Sequence, residues 1–219
     1  MLIDKNTVAA QDQTIGSSRV FFLGDPNAKK RILVVGNSIT RHGPMASIGW
    51  ERDWGMAASA PEKDYVHLLY AMLARDGQEV FMRVKQCSNW ELNFLKEEVL
   101  RDYDEDRDFR ADVVVFRLGE NVTKENRPLF REGAKKFIEH ICPDGKAVFT
   151  TCFWKNPIVD EAVAAIAAER GEPCVDCGFS EDERNMALGQ FPHSGVAHHP
   201  SDAGMEKIAQ AIFEQLKSR

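Results

Sequence analysis

The sequence predicts an α/β fold, a three-layer α/β/α sandwich around a parallel, flavodoxin-like sheet of about five strands. Short runs rich in β-branched and aromatic residues recur along the chain, segments of helical spacing fall between them, and no linker interrupts the alternation. A strand in a parallel sheet is covered on both faces, so it reads as a continuous apolar run rather than an alternating one.

The first such run, Arg31 to Gly36, ends in a glycine turn. Glu79 to Val84, Val113 to Leu118, Lys146 to Cys152 and the shorter Pro173 to Asp176 follow it. Val66, Leu69 and Leu73 ahead of Gly77 mark a helix, and so do Leu129, Phe130, Ala134, Phe137, Ile138 and Ile141 after Pro128. An Ala-rich helix over 160–170 stops at Gly171. In the last helix Ser201 or Asp202 caps a stripe of Met205, Ile208, Ile212 and Leu216. Two stretches break the rhythm. Residues 41–63, with Trp50, Trp54, Gly55 and Met56, follow the first strand and are expected to wall a pocket, the alternative being a cap that buries two Trp for stability. The mixed charges of 101–110 read as a solvated connection.

The 219 residues form one domain, 1–219, with 1–30 as an N-terminal extension packed on it. With 28 Lys+Arg against 34 Asp+Glu, the net charge of −6 argues against nucleic acid as the main partner. No apolar run approaches the roughly 20 residues that span a bilayer, and the first residues lack a basic segment followed by an apolar one, so no membrane partner and a cytoplasmic location are expected. Five scattered cysteines suit free thiols, and Cys174 and Cys177 have redox spacing without a redox context. Dinucleotide and Walker phosphate loops are absent, so no cofactor is expected. His193, His198, His199 and Asp202 crowd together but match no zinc pattern, and no metal is expected.

Three short segments carry chemistry. Gly36-Asn37-Ser38 closes the first strand, where a tight turn presents a serine hydroxyl beside free backbone N–H groups. Gly119-Glu120-Asn121 closes the third strand on the same sheet edge, where the Asn amide can donate to an oxyanion. His198-His199-Pro200 precedes the last helix and can bring an imidazole base back to Ser38.

In this order, over residues 31 to about 216, the segments resemble the SGNH or GDSL-type hydrolases, a family of esterases, lipases and carbohydrate deacetylases. The resemblance implies that Ser38 is the nucleophile and His199 the general base, and that the Ser38 N–H and the Asn121 side chain form the oxyanion hole. The chain departs from the family pattern in three places. Asn37 replaces an Asp, and Val84 to Glu91 lacks the Gly of the second block, leaving Ser88 or Asn89 to supply an N–H. Val196 stands where the family has its acid, three residues before the base. A Ser-His dyad is therefore expected, its imidazole oriented by a backbone carbonyl or by Glu120, Asp176, His193 or Asp202. Asn37, Trp54 and Trp154 are expected around the pocket. Two function classes follow: an esterase or deacetylase acting through an acyl-enzyme on a small-molecule or saccharide ester, or a binding module of the same fold that has lost catalysis.

Overall fold

The computed structural model describes residues 20–217. Six strands, β1 (Val20–Gly24), β2 (Lys30–Gly36), β3 (Val80–Gln86), β4 (Val113–Arg117), β5 (Lys146–Thr150) and β6 (Cys174–Val175), form one sheet in the order β1-β3-β2-β4-β5-β6. Five are parallel as predicted, and β1 adds an antiparallel edge, Val20 opposite Lys85 and Gly24 opposite Phe81. The sheet is thus larger by one strand than expected. The end of the supposed 1–30 extension is part of it, and residues 1–19 of that extension lie outside the described residues.

The helices are α1 (Tyr65–Arg75), α2 (Ser88–Asn93), α3 (Asp104–Asp108), α4 (Phe130–Ile141), α5 (Pro157–Arg170), α6 (Ser194–Ala197) and α7 (Asp202–Leu216). Alternate residues of a strand face opposite sides, and β2 shows it. Ile32 and Val34 pack with Val66, Leu69 and Leu73 of α1 and Met205, Ile208 and Ile212 of α7. Leu33 and Val35 pack with Trp90 of α2, Phe137 of α4 and Val163 of α5. The Asp64 carboxylate caps α1 through the His67 N–H, Ser201 caps α7 through the Gly204 N–H, and Gly171 ends α5 at φ 66°.

The charged stretch 101–110 is not the solvated connection that its composition suggests. It contributes α3, whose Asp106 is wholly buried, with Arg83 Nε at 2.7 Å and Lys85 Nζ at 3.4 Å. Arg83 and Lys85 lie on β3 among buried residues, and this carboxylate, together with Glu105 at 3.3 Å from Arg83, compensates their charge. The aperiodic 41–63 segment forms a small core of its own, in which Ile48, Trp50 and Met56 meet Ala187 and Val196. It joins the turn after β2 through the Met56 N–H, which donates to the Ser38 carbonyl at 2.9 Å.

Candidate active site

Ser38 lies in the turn after β2, closed by the Thr40 and Arg41 N–H groups donating to the Asn37 carbonyl. The turn needs Gly36, because a Cβ there would lie 1.8 Å from the Thr40 hydroxyl. No residue among those described accepts from the Ser38 N–H, which remains available to an oxyanion.

His199 reaches Ser38 from the loop between α6 and α7, with Ser38 Oγ 2.8 Å from its Nε2. Its Nδ1 lies 2.7 Å from the Gly195 carbonyl. A carbonyl only accepts, so Nδ1 carries the proton and Nε2 is left free to take one from serine. Gly195 is available because α6 is one turn long, and the Ala197, His198 and His199 N–H groups bond to His193, Ser194 and Val196. The loop is pinned by the Ala187 N–H on the His199 carbonyl and the Ser201 N–H on the Asn185 carbonyl, at 3.0 and 2.8 Å. Trp154 sets its ring edge-on to the imidazole at 5.1 Å and donates Nε1 to the His198 carbonyl. Burial chiefly, then the His42, Arg117 and His198 charges, lowers the His199 pKa to about 3 against the bond to Gly195, so the imidazole is neutral at ordinary pH.

The carboxylates expected to orient this imidazole do other work. Asp202 accepts from the Ser59 N–H and hydroxyl, tying the 41–63 segment to α7. Asp176 accepts from Thr151 and from the Gly178 N–H. Glu120 accepts from Arg117 and from the Phe153 N–H, and His193 is buried just before α6. Ser88 is wholly buried and donates its N–H to the Gln86 side chain at 3.3 Å, so it is not a free oxyanion donor. Asn37 is wholly buried, and its amide is spent on Glu91 and Glu120. Trp54 stands edge-on to Trp50 at 6.0 Å and donates to the Ala58 carbonyl.

Glu91 of α2 has no part in the motif reading, yet it organises the opposite wall. Its Oε1 accepts from the Gly119 N–H at 2.6 Å and the Asn37 amide at 3.1 Å, and its Oε2 accepts from the Asn121 amide at 2.6 Å. Asn37 Nδ2 also donates to Glu120 at 2.6 Å, and the wholly buried Arg117 donates to Glu120 and to the Asn37 side-chain oxygen Oδ1. Gly119 sits at φ 140°, where a Cβ would strike Val159 at 2.4 Å. The only available signal was Trp90 and Phe94 at helical spacing, which sets Glu91 beside a buried face.

A cavity of about 950 Å³ opens at the opposite edge of the sheet, lined by Lys30, Arg110, Asp112 and Lys146 among others. No histidine lines it. Among the described residues no cluster of His, Cys, Asp or Glu has a metal-binding arrangement, and no helix is long and apolar enough to cross a membrane.

No protein-family model matches the chain, and no curated protein does. Solved structures do. Axe2, an acetylxylan esterase from Geobacillus stearothermophilus, superposes with a TM-score of 0.56 at 18% identity, covering 93% of this chain and 96% of that one. A protein assigned to the lipolytic G-D-S-L family, from Desulfitobacterium hafniense DCB-2, gives 0.54 at 13% identity over 85% of this chain and 99% of that one. The fold is the SGNH α/β/α fold. The salicylyl-acyltransferase SsfX3 from a tetracycline biosynthetic pathway also matches, with a TM-score of 0.50 at 16% identity over 89% of this chain and 56% of its own. In the acetylxylan esterase, variants of a serine, a histidine and an aspartate three residues before that histidine are described as catalytic mutants. In the present chain the third position before His199 is Val196.

Proposed function

We propose that this protein is an SGNH-type serine esterase that removes acyl groups, acetyl above all, from an esterified carbohydrate through an acyl-enzyme on Ser38. One observation carries this reading: Ser38 Oγ meets His199 Nε2 at 2.8 Å while His199 Nδ1 is held by a carbonyl, which sets the tautomer that a base needs. As Oγ attacks the ester carbonyl, its proton passes to Nε2. The carbonyl oxygen becomes an oxyanion that accepts from the Ser38 N–H and the Asn121 amide. Collapse expels the alcohol, which takes the proton from His199, and water activated by the same imidazole then cleaves the acyl-enzyme to the free acid.

The Gly195 carbonyl performs one of the two duties of the missing acid. It orients the imidazole, but as a neutral dipole it stabilises the imidazolium less than a carboxylate does. A held tautomer favours catalysis over a binding module that has lost it. The saccharide preference is supported by the similarity to acetylxylan esterases and by the aromatic ring of Trp154 beside the base.

A fluorophosphonate probe followed by peptide mapping tests the proposal. Labelling of Ser38 is expected in the native protein and absent in Ser38→Ala and His199→Ala, and acetylated xylo-oligosaccharides should then release acetate. A folded native protein that stays unlabelled overturns the reading.

A further inference from the structure

We propose that Glu91 is the positioning residue of the oxyanion hole: its carboxylate grips one N–H of the Asn121 amide so that the other is presented to the substrate. This rests on the esterase reading of Ser38. An Asn amide has two N–H groups and an oxygen of nearly the same shape, and nothing in the side chain itself decides which end faces the reacting carbonyl. Glu91 Oε2 decides it, because at 2.6 Å it accepts from Nδ2 and would repel the amide oxygen. The same carboxylate holds the Gly119 N–H and so fixes the start of the turn that carries Asn121.

The grip is strongest when the carboxylate is ionised. Oε1 already takes two N–H donors and Oε2 only one, so a proton added to Glu91 goes to the free lone pair of Oε2 and turns the oxygen that holds Asn121 into a weaker, neutral acceptor. The hold on the Asn121 amide is then weaker and its orientation less firmly fixed. The groups that bear on this proton are Glu120 after β4, which Asn37 links to Glu91, Arg117 on β4, which neutralises Glu120 rather than Glu91, and the buried Cys87 thiol at the start of α2. Burial, reinforced by the Glu120 charge, pushes the Glu91 carboxyl up to about 7 against the hydrogen bonds that favour its ionised form. His199 stays neutral through this range, so an acid limb of kcat near pH 7 belongs to Glu91.

The test measures hydrolysis of p-nitrophenyl acetate by native protein, Asn121→Ala, Glu91→Gln and the double variant. Glu91→Gln keeps the shape but offers one donor and one acceptor, so it cannot accept from all three N–H groups. It is expected to lower kcat by roughly 10²-fold, as loss of an oxyanion donor does, with KM nearly unchanged. Acting through Asn121, it should slow the double variant no further than Asn121→Ala alone. The native acid limb near pH 7 should vanish in Asn121→Ala, a comparison that decides the matter even if Glu91→Gln does not fold. Native kcat in Glu91→Gln, multiplicative losses in the double variant, or a limb that survives in Asn121→Ala overturns the inference while leaving the esterase reading intact. Activity that persists in Ser38→Ala overturns both.

Discussion

The two walls of the site are built from opposite materials. On one side Ser38 and His199 are held by uncharged groups, the Gly195 carbonyl and the edge of Trp154. On the other, Glu91, Glu120 and Arg117 are buried around the amide of Asn37, two carboxylates to one cation. The wall that would do the proton transfer keeps its imidazole neutral by desolvation. The wall that would meet the oxyanion fixes its donors with buried charge. A neutral wall tolerates burial cheaply, whereas each buried charge must have partners, so the second wall is the more rigidly specified and the more costly to disturb.

The largest expected effect breaks the neutral wall. Ser38→Ala should lower the rate of ester hydrolysis on the order of 10⁴-fold or more with an unchanged urea midpoint, because the hydroxyl contributes to chemistry and little to packing. The charged wall should answer in the other currency: Arg117→Met leaves Glu120 without its cation and should cost about 3–5 kcal/mol in urea unfolding. A cost below about 1 kcal/mol would mean that the network is not held by charge. Asn37→Asp puts a third carboxylate against Glu91 and Glu120 and removes both donated N–H bonds. A loss of about 2 kcal/mol or more, growing as pH rises, is expected from chemical denaturation.

The walls should also titrate in opposite senses. His199 is neutral in the folded protein down to about pH 3 but takes a proton near 6.5 when unfolded, so its contribution to stability falls as pH drops from 6.5 towards 3. Glu91 keeps its proton to about pH 7 when folded but loses it near 4.5 when unfolded, so its contribution falls as pH rises from 4.5 through 7. Over the shared window the two oppose each other, so thermal unfolding should show stability falling as pH rises from 4.5 to 6.5 in His199→Ala and rising with pH there in Glu91→Gln. The smallest effect belongs to Trp154→Phe, which keeps a ring against His199 and loses the bond to the His198 carbonyl, about 1 kcal/mol by the same method.

What was legible followed from local pattern. The apolar runs marked β2 through β6, helical spacing marked α1, α4, α5 and α7, and Ser38, Asn121 and His199 each stand at the carboxyl edge of a strand or just before a helix. Strand β1 escaped because its short segment lies apart from the strand–helix alternation, and α3 because its charges conceal Asp106, which faces Arg83. The sequence by itself determined the order of β2 to β6 and of α1, α4, α5 and α7, since periodicity and glycine turns act over a few residues. Only the tertiary structure decided that a carbonyl orients His199, and that the Asn37 side chain is held by Glu91, 54 residues away in the chain. A buried polar group is explained by whatever donor or acceptor the fold brings to it, and that partner is written nowhere near it in the sequence.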